Sequence, residues 1–285
     1  MDEDLDETVR PSASARPGWV FGFYAFRAIA GLAVAAPLAI EVGVLVSRLP
    51  RGDAVLFDAG GEVLLDVVRK GHQAAPAIAA GAGIGLLVAA FVGLAPLAAL
   101  LVAIGHRGAL PLRVVAARSA RALGTLSLLW GLALFTQAVT AALVHFGWGR
   151  VVTSFGWAPP RDDLARVAGV VVVVALALGI GVAHDLARVV AVDELRGTYL
   201  AMARAIEVVR ARPGRVLASY AARASLAAGA LAVGVALAAR VGHATAPRFA
   251  LSAIAHQASL LVAVALRASW LAAAMRHARA TPPET

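Results

Sequence analysis

A 285-residue chain whose side chains are 60% apolar before glycine is counted, and only 15% charged, carries more oil than one water-soluble core can hide. Its net charge of +9 comes without any basic run interleaved with aromatics, so the arginines are read as surface anchors against anionic lipid, with no nucleic acid as partner. The lack of cysteine excludes disulfides, thiol catalysis and iron–sulfur clusters, and the lack of asparagine excludes N-glycosylation.

Residues 1–17 are acidic at the start and then rich in Pro and Ser, which predicts a disordered tail rather than a signal peptide. A membrane domain over 18–276 follows, then a tail over 277–285. A hydrocarbon layer of about 30 Å needs about 20 helical residues. Six stretches qualify: 28–48, 75–104, 122–146, 165–183, 216–239 and 249–274. They predict an all-α polytopic bundle, because spans of this length without period-2 alternation exclude a β-barrel. Gly81, Gly85, Ala89 and Gly93 recur every four residues, a small-residue ridge that lets a neighbouring helix approach.

Two further segments are not spans. Residues 49–74 are too apolar for a free loop and read as an interfacial segment that lies on the outer surface or caps the bundle. Residues 184–212 place Leu186, Val189, Val192, Leu195, Tyr199, Met202, Ile206 and Val209 at steps of three and four, one face of an amphipathic helix. That helix is expected either under the bundle in the headgroup layer or as a docking surface for a membrane or cytoplasmic protein partner.

Fifteen basic residues fall on the side holding the N-terminal segment, the second and fourth connections and the C-terminal tail; nine fall on the other. The positive-inside tendency then puts both termini in the cytoplasm. Trp19, Tyr24 and Trp148 lie near span boundaries, where amphipathic rings settle in the headgroup layer.

No phosphate-binding loop, zinc-protease, nucleophile-elbow or aspartyl-protease motif is present, and no cofactor is implied. Ionisable residues inside spans are therefore the functional candidates, since a charge at mid-bilayer costs at least about 2.5–3.5 kcal/mol. Glu41, Gln137, His256 and Gln257 fall towards the outer side and form a candidate polar pocket. Arg223 and Arg267, each close enough to the cytoplasmic end of its span to snorkel, are candidate contacts for an anion or lipid headgroup. His184 and Asp185 read as a helix-end polar pair. Should a cavity gather them with other polar groups, an enzymatic reading would have to be weighed again.

Lys70 is the only lysine among 26 basic residues, a bias that a GC-rich genome writes. The entry Phe23-Tyr24-Ala25-Phe26-Arg27, the run Leu49-Pro50-Arg51-Gly52-Asp53, the stretch from Leu56 to Leu65, and Gly93-Leu94-Ala95-Pro96-Leu97 resemble the uncharacterised six-helix inner-membrane proteins of GC-rich proteobacteria. That resemblance implies an inner-membrane location and no chemistry. The reading from the residues is a non-enzymatic integral membrane protein, a scaffold or the membrane subunit of a complex. The alternative is a transporter of a small molecule or lipid that uses the polar residues within the bundle.

Overall fold

The computed structural model describes residues 11–46, 75–106, 108, 110–156, 161–242 and 245–281. The expected interfacial segment 49–74 and residues 1–10 lie outside the described residues, as does the side chain of Glu41. Among the described residues all regular structure is helical: α1 (Pro17–Val46), α2 (Ala75–Val92), α3 (Leu94–Gly105), α4 (Leu112–Ser154), α5 (Arg161–Asp193), α6 (Thr198–Ala211), α7 (Pro213–Val241) and α8 (Ala246–Arg279). Six stretches are long and apolar enough to cross a membrane, α2 and α3 together making one of them. The protein is an all-α, multi-pass integral membrane protein.

The chain divides into two compact units, residues 24–94 and residues 1–23 with 95–285. In the first unit, the small-residue ridge of α2 meets α1. A methyl on Gly85 would touch Val34 at 3.4 Å, and one on Gly93 would lie 3.3 Å from the Phe26 ring. Gly81, the first member of the ridge, has open space instead. The helix is interrupted at Gly93 because Pro96, three residues on, has no N–H to give the carbonyl of Val92.

The second unit is built from two antiparallel hairpins. α7 lies along α8, α4 lies along α5, and α5 also packs on α6 and α8. α7 and α8 approach most closely at Gly234, where any Cβ would overlap the Ser259 side chain and sit 3.3 Å from the Ala255 carbonyl oxygen.

Burial is concentrated at one end. Leu100, Leu101 and Ile104 of α3, Leu186 and Val190 of α5, Ala205 of α6, and Trp270, Leu271 and Met275 of α8 are all fully buried. The opposite ends of the same helices expose large apolar side chains, among them Leu143 and Phe146 of α4, Val170 and Val171 of α5, and Phe249 and Ile254 of α8. Exposed apolar surface on this scale belongs against lipid rather than water. The buried end is also the arginine-rich end.

Charged side chains cross-link that end. The Arg16 guanidinium donates to the carbonyls of Ala103 (3.1 Å), His106 (2.8 Å) and Gly108 (2.7 Å). Arg279 grips both oxygens of Asp193, at 2.7 and 2.8 Å, and the carbonyl of Gly105 at 3.0 Å. These donors satisfy the last carbonyls of α3, which have no partner within the helix. Arg276 donates to the carbonyl of Pro11, so the first and last described segments lie side by side. Residues 11–16, expected in the disordered tail, are thus tied to the bundle, and Pro11 is buried.

Helices overrun the apolar stretches read from the sequence. α4 has 43 residues, about 65 Å at 1.5 Å per residue. It starts just after Pro111, whose ring bars helix before it, and ends at Gly156, which adopts a left-handed φ of 57°. The expected amphipathic helix 184–212 is two elements. Residues 184–193 complete α5; the chain then turns at Leu195 (φ 51°), and α6 begins after Gly197. Of the expected apolar face, Leu186, Val189 and Val192 in α5 are buried, whereas Tyr199 in α6 is 82% exposed. In α6 the buried side is Ala201, Arg204, Ala205 and Val208, where two alanines let the helix pack closely on α5.

Candidate functional site

α5 carries Val174, Ala177, Leu178, Gly181, His184, Asp185 and Arg188 at helical steps of one to four, which puts them along one broad face. That face is one wall of a cavity of about 430 Å³. α4 supplies Trp130, Ala133, Leu134 and Gln137; Tyr220 comes from α7 and Arg267 from α8. The size is that of a small-molecule pocket, about 300–1,000 Å³.

The two ends of the cavity differ. Towards the start of α5 the wall is Val174, Ala177, Leu178 and Gly181, with Gln137 opposite. Gln137 Nε2 donates to the carbonyl of Ala177 at 3.4 Å, a long bond between α4 and α5. The far end is ionic. The Asp185 carboxylate is 2% exposed and is gripped by both terminal nitrogens of Arg267. It also accepts the Trp270 indole N–H at 2.9 Å, and Arg188 Nη1 stands 3.4 Å away. Trp270 is held edge-on by Tyr220, with ring centroids 5.1 Å apart at 76°. A forked arginine, an indole and a second arginine share one carboxylate, so the carboxylate is fully partnered and ties α5 to α8.

The ion count of this cluster is uneven: one carboxylate faces two guanidinium groups. Arg188 Nε and His184 Nδ1 are buried and make no hydrogen bond among the described residues. Groups in that state are rare in a folded protein.

The residues singled out in the sequence separate. Gln137 and Arg267 meet in this cavity, at its two ends. His256 and Gln257 are exposed on α8 and do not line it. Arg223 lies apart from Arg267. It donates to Ser269 Oγ at 3.1 Å and to the carbonyl and hydroxyl of Ser219 at 2.8 and 2.7 Å, so its donors are directed within the α7–α8 hairpin. Asp185, Arg188, Tyr220 and Trp270 were not picked out as site residues. A carboxylate and an arginine at similar depth in different spans, Asp185 and Arg267, was the usable signal, because buried membrane charges pair.

The cavity does gather His184 and Asp185, the condition set for weighing catalysis again. Its lining includes no serine, threonine or cysteine to act as nucleophile. Asp185, locked by two cations and an indole, is poorly placed to take a proton. Among the described residues no three His, Cys, Asp or Glu side chains come together as metal ligands. Outside the spans, the His106 imidazole lies below its ordinary value. Burial is the main cause, with Arg118, Arg16 and Arg279 adding to it and Asp193 opposing.

Comparison with protein families, with curated proteins and with solved structures finds no match.

Proposed function

We propose that this is a non-enzymatic inner-membrane protein of bacterial origin that holds a small molecule or lipid in the α4–α5–α7–α8 cavity, the carrier reading of the sequence. The observation that carries it is the cavity itself: an opening of about 430 Å³ in the membrane-spanning helices, apolar along one wall and ionic at one end. The fully partnered carboxylate and a lining without serine, threonine or cysteine favour binding over bond-breaking. The arginine-rich end, with both termini, faces the cytoplasm in this reading, in keeping with the positive-inside tendency. The scaffold or subunit reading rests on a different observation, the outward apolar face of α6 with Tyr199 82% exposed. A helix of that kind is equally suited to the headgroup layer.

The natural lack of cysteine makes the test direct. Single variants Ala177→Cys, in the cavity wall, and Val171→Cys, 61% exposed on the outer surface of the same helix, are labelled with maleimide in native membranes. Thiol alkylation needs the thiolate and therefore water. A hydrated binding cavity makes the Ala177→Cys variant react while the lipid-facing Val171→Cys variant stays inert. Equal inertness at both positions would defeat the cavity reading.

A further inference from the structure

The cavity is amphipathic along its length, and that asymmetry specifies a ligand. From Asp185 back to Val174 the α5 wall spans eleven residues, about 16 Å of rise. All of the charge on this wall lies at or beyond its Asp185 end. Gly181, Leu178, Ala177 and Val174 continue as an apolar track, open on one side where Val174 and Leu178 are 51% and 46% exposed, and faced by Ala133 and Leu134 of α4.

Charge at the polar end is not balanced. Arg267 and Asp185 neutralise each other through the fork. Arg188 reaches the same carboxylate only at 3.4 Å, the edge of a hydrogen bond, and its side chain is still 15% exposed. Two guanidinium groups share this one carboxylate, so the cluster as described carries one positive charge in excess. Arg188 Nε and His184 Nδ1, both without a hydrogen-bond partner among the described residues, lie at the same end. In a low-dielectric setting such an excess positive charge attracts an oxyanion strongly.

We propose that the cavity binds an anionic amphiphile, its carboxylate or phosphate head on Arg188 beside His184 and its aliphatic chain along the α5 track between Gly181 and Val174. Arg267 is a positioning residue that keeps Asp185 from neutralising Arg188. The anion site read from the sequence thus keeps Arg267 but replaces Arg223 with Arg188. This inference rests on the cavity reading above and adds the charge and shape of the ligand.

The test uses the full-length protein in an uncharged detergent and three probes of equal chain length: dodecyl phosphate, dodecanol and dodecyltrimethylammonium. Binding is followed by quenching of the tryptophan fluorescence, since Trp130 lines the cavity. Dodecyl phosphate is expected to bind about tenfold or more tightly than the other two. Arg188→Gln should remove that preference, and Arg188→Lys should restore part of it. Because Arg188→Gln could disturb folding, charge selectivity in the unaltered protein is an independent readout. Inorganic phosphate and a phosphatidic acid vesicle are then used as competitors. Competition by the vesicle alone makes a bilayer lipid the source of the head, and weak competition by both makes it a free amphiphile. Inorganic phosphate competing as strongly as dodecyl phosphate overturns the amphiphile, because the chain then contributes nothing. Dodecanol binding as tightly as dodecyl phosphate overturns the anion site while leaving the cavity standing, provided the Ala177→Cys variant still reacts. No binding of any probe together with an inert Ala177→Cys variant overturns both.

Discussion

Removing the Asp185 carboxylate tests the cluster most directly. Its side chain is 3% exposed, and in Asp185→Ala it leaves the Arg267 guanidinium and the Trp270 N–H without their acceptor. Breaking a buried ion pair from one side costs about 3–5 kcal/mol, and because the Arg267 side chain is 32% exposed the low end, about 3 kcal/mol, applies here. At roughly 2–4 °C per kcal/mol for a chain of this size, the midpoint should fall by about 6–12 °C. Asp185→Asn retains the shape and one acceptor and should fall less, by about 1.5–3 kcal/mol for the lost charge assistance. The double variant Asp185→Leu with Arg267→Met removes both charges and should return to within about 1–2 kcal/mol of the parent, since an apolar pair of similar volume replaces a buried ion pair at little cost. Heating a detergent-solubilised membrane protein is commonly irreversible, so all variants are scanned at one rate, and the monodisperse fraction and tryptophan fluorescence are compared as differences. An Asp185→Ala midpoint within about 2–4 °C of the parent, a shift worth ~1 kcal/mol, would refute the cluster as the tie between α5 and α8. A double variant as unstable as the single one would refute the pairwise assignment to Arg267.

Three further perturbations follow from the packing. Gly234→Val forces a branched side chain into Ser259 and should cost about 1–3 kcal/mol; Ser259→Gly in the same chain should recover much of it, and thermal scans of the four-member cycle read the coupling. Arg204 is 4% exposed, donates to Glu207 at 3.0 Å and caps the carbonyls of Ala278 and Thr281. Arg204→Met should therefore release α6 from the end of α8 and make Arg196 and Arg210 more susceptible to trypsin, seen as faster cleavage on a gel; an unchanged digestion rate would contradict that docking role. His106 binds its proton more weakly in the folded chain than in the unfolded one, mainly through burial. Its contribution to stability is thus intact above the unfolded value of about 6.5 and is lost as pH falls through the lowered folded value. The midpoint should drop on acidification, and His106→Gln should flatten that dependence; identical pH profiles for parent and variant would count against it.

Hydropathy and length were enough to count six helices able to cross a membrane, because a helix must satisfy its own backbone in lipid and its length is set by the bilayer. They did less well with ends. α4 continues ten residues before residue 122 because Arg113, Arg118 and Arg121 are good helix formers and only Pro111 stops it. The segment 184–212 has an unbroken helical period, yet it turns at Leu195, since periodicity reports which residues share a face and not where the chain must bend to bring α6 back under α5. Periodicity also leaves open which way an apolar face points, because at a membrane surface lipid receives Tyr199 and Leu200 as well as a core would.

The lipid-solvated helical character of the chain, the number of its spans and the arginine bias between its two sides are properties of local composition, readable residue by residue. The partners of its buried charges are not. Asp185 and Arg267 are 82 positions apart, and their meeting depends on how α5 and α8 are rotated about their axes and how deep each sits. Those two quantities are set by side-chain packing across the bundle, where Gly234 against Ser259 and Trp270 against Tyr220 fix the approach. Tertiary structure alone therefore decided that Gln137 and Arg267 share a cavity while His256 and Arg223 do not line it, and that two arginines in that cavity share one carboxylate.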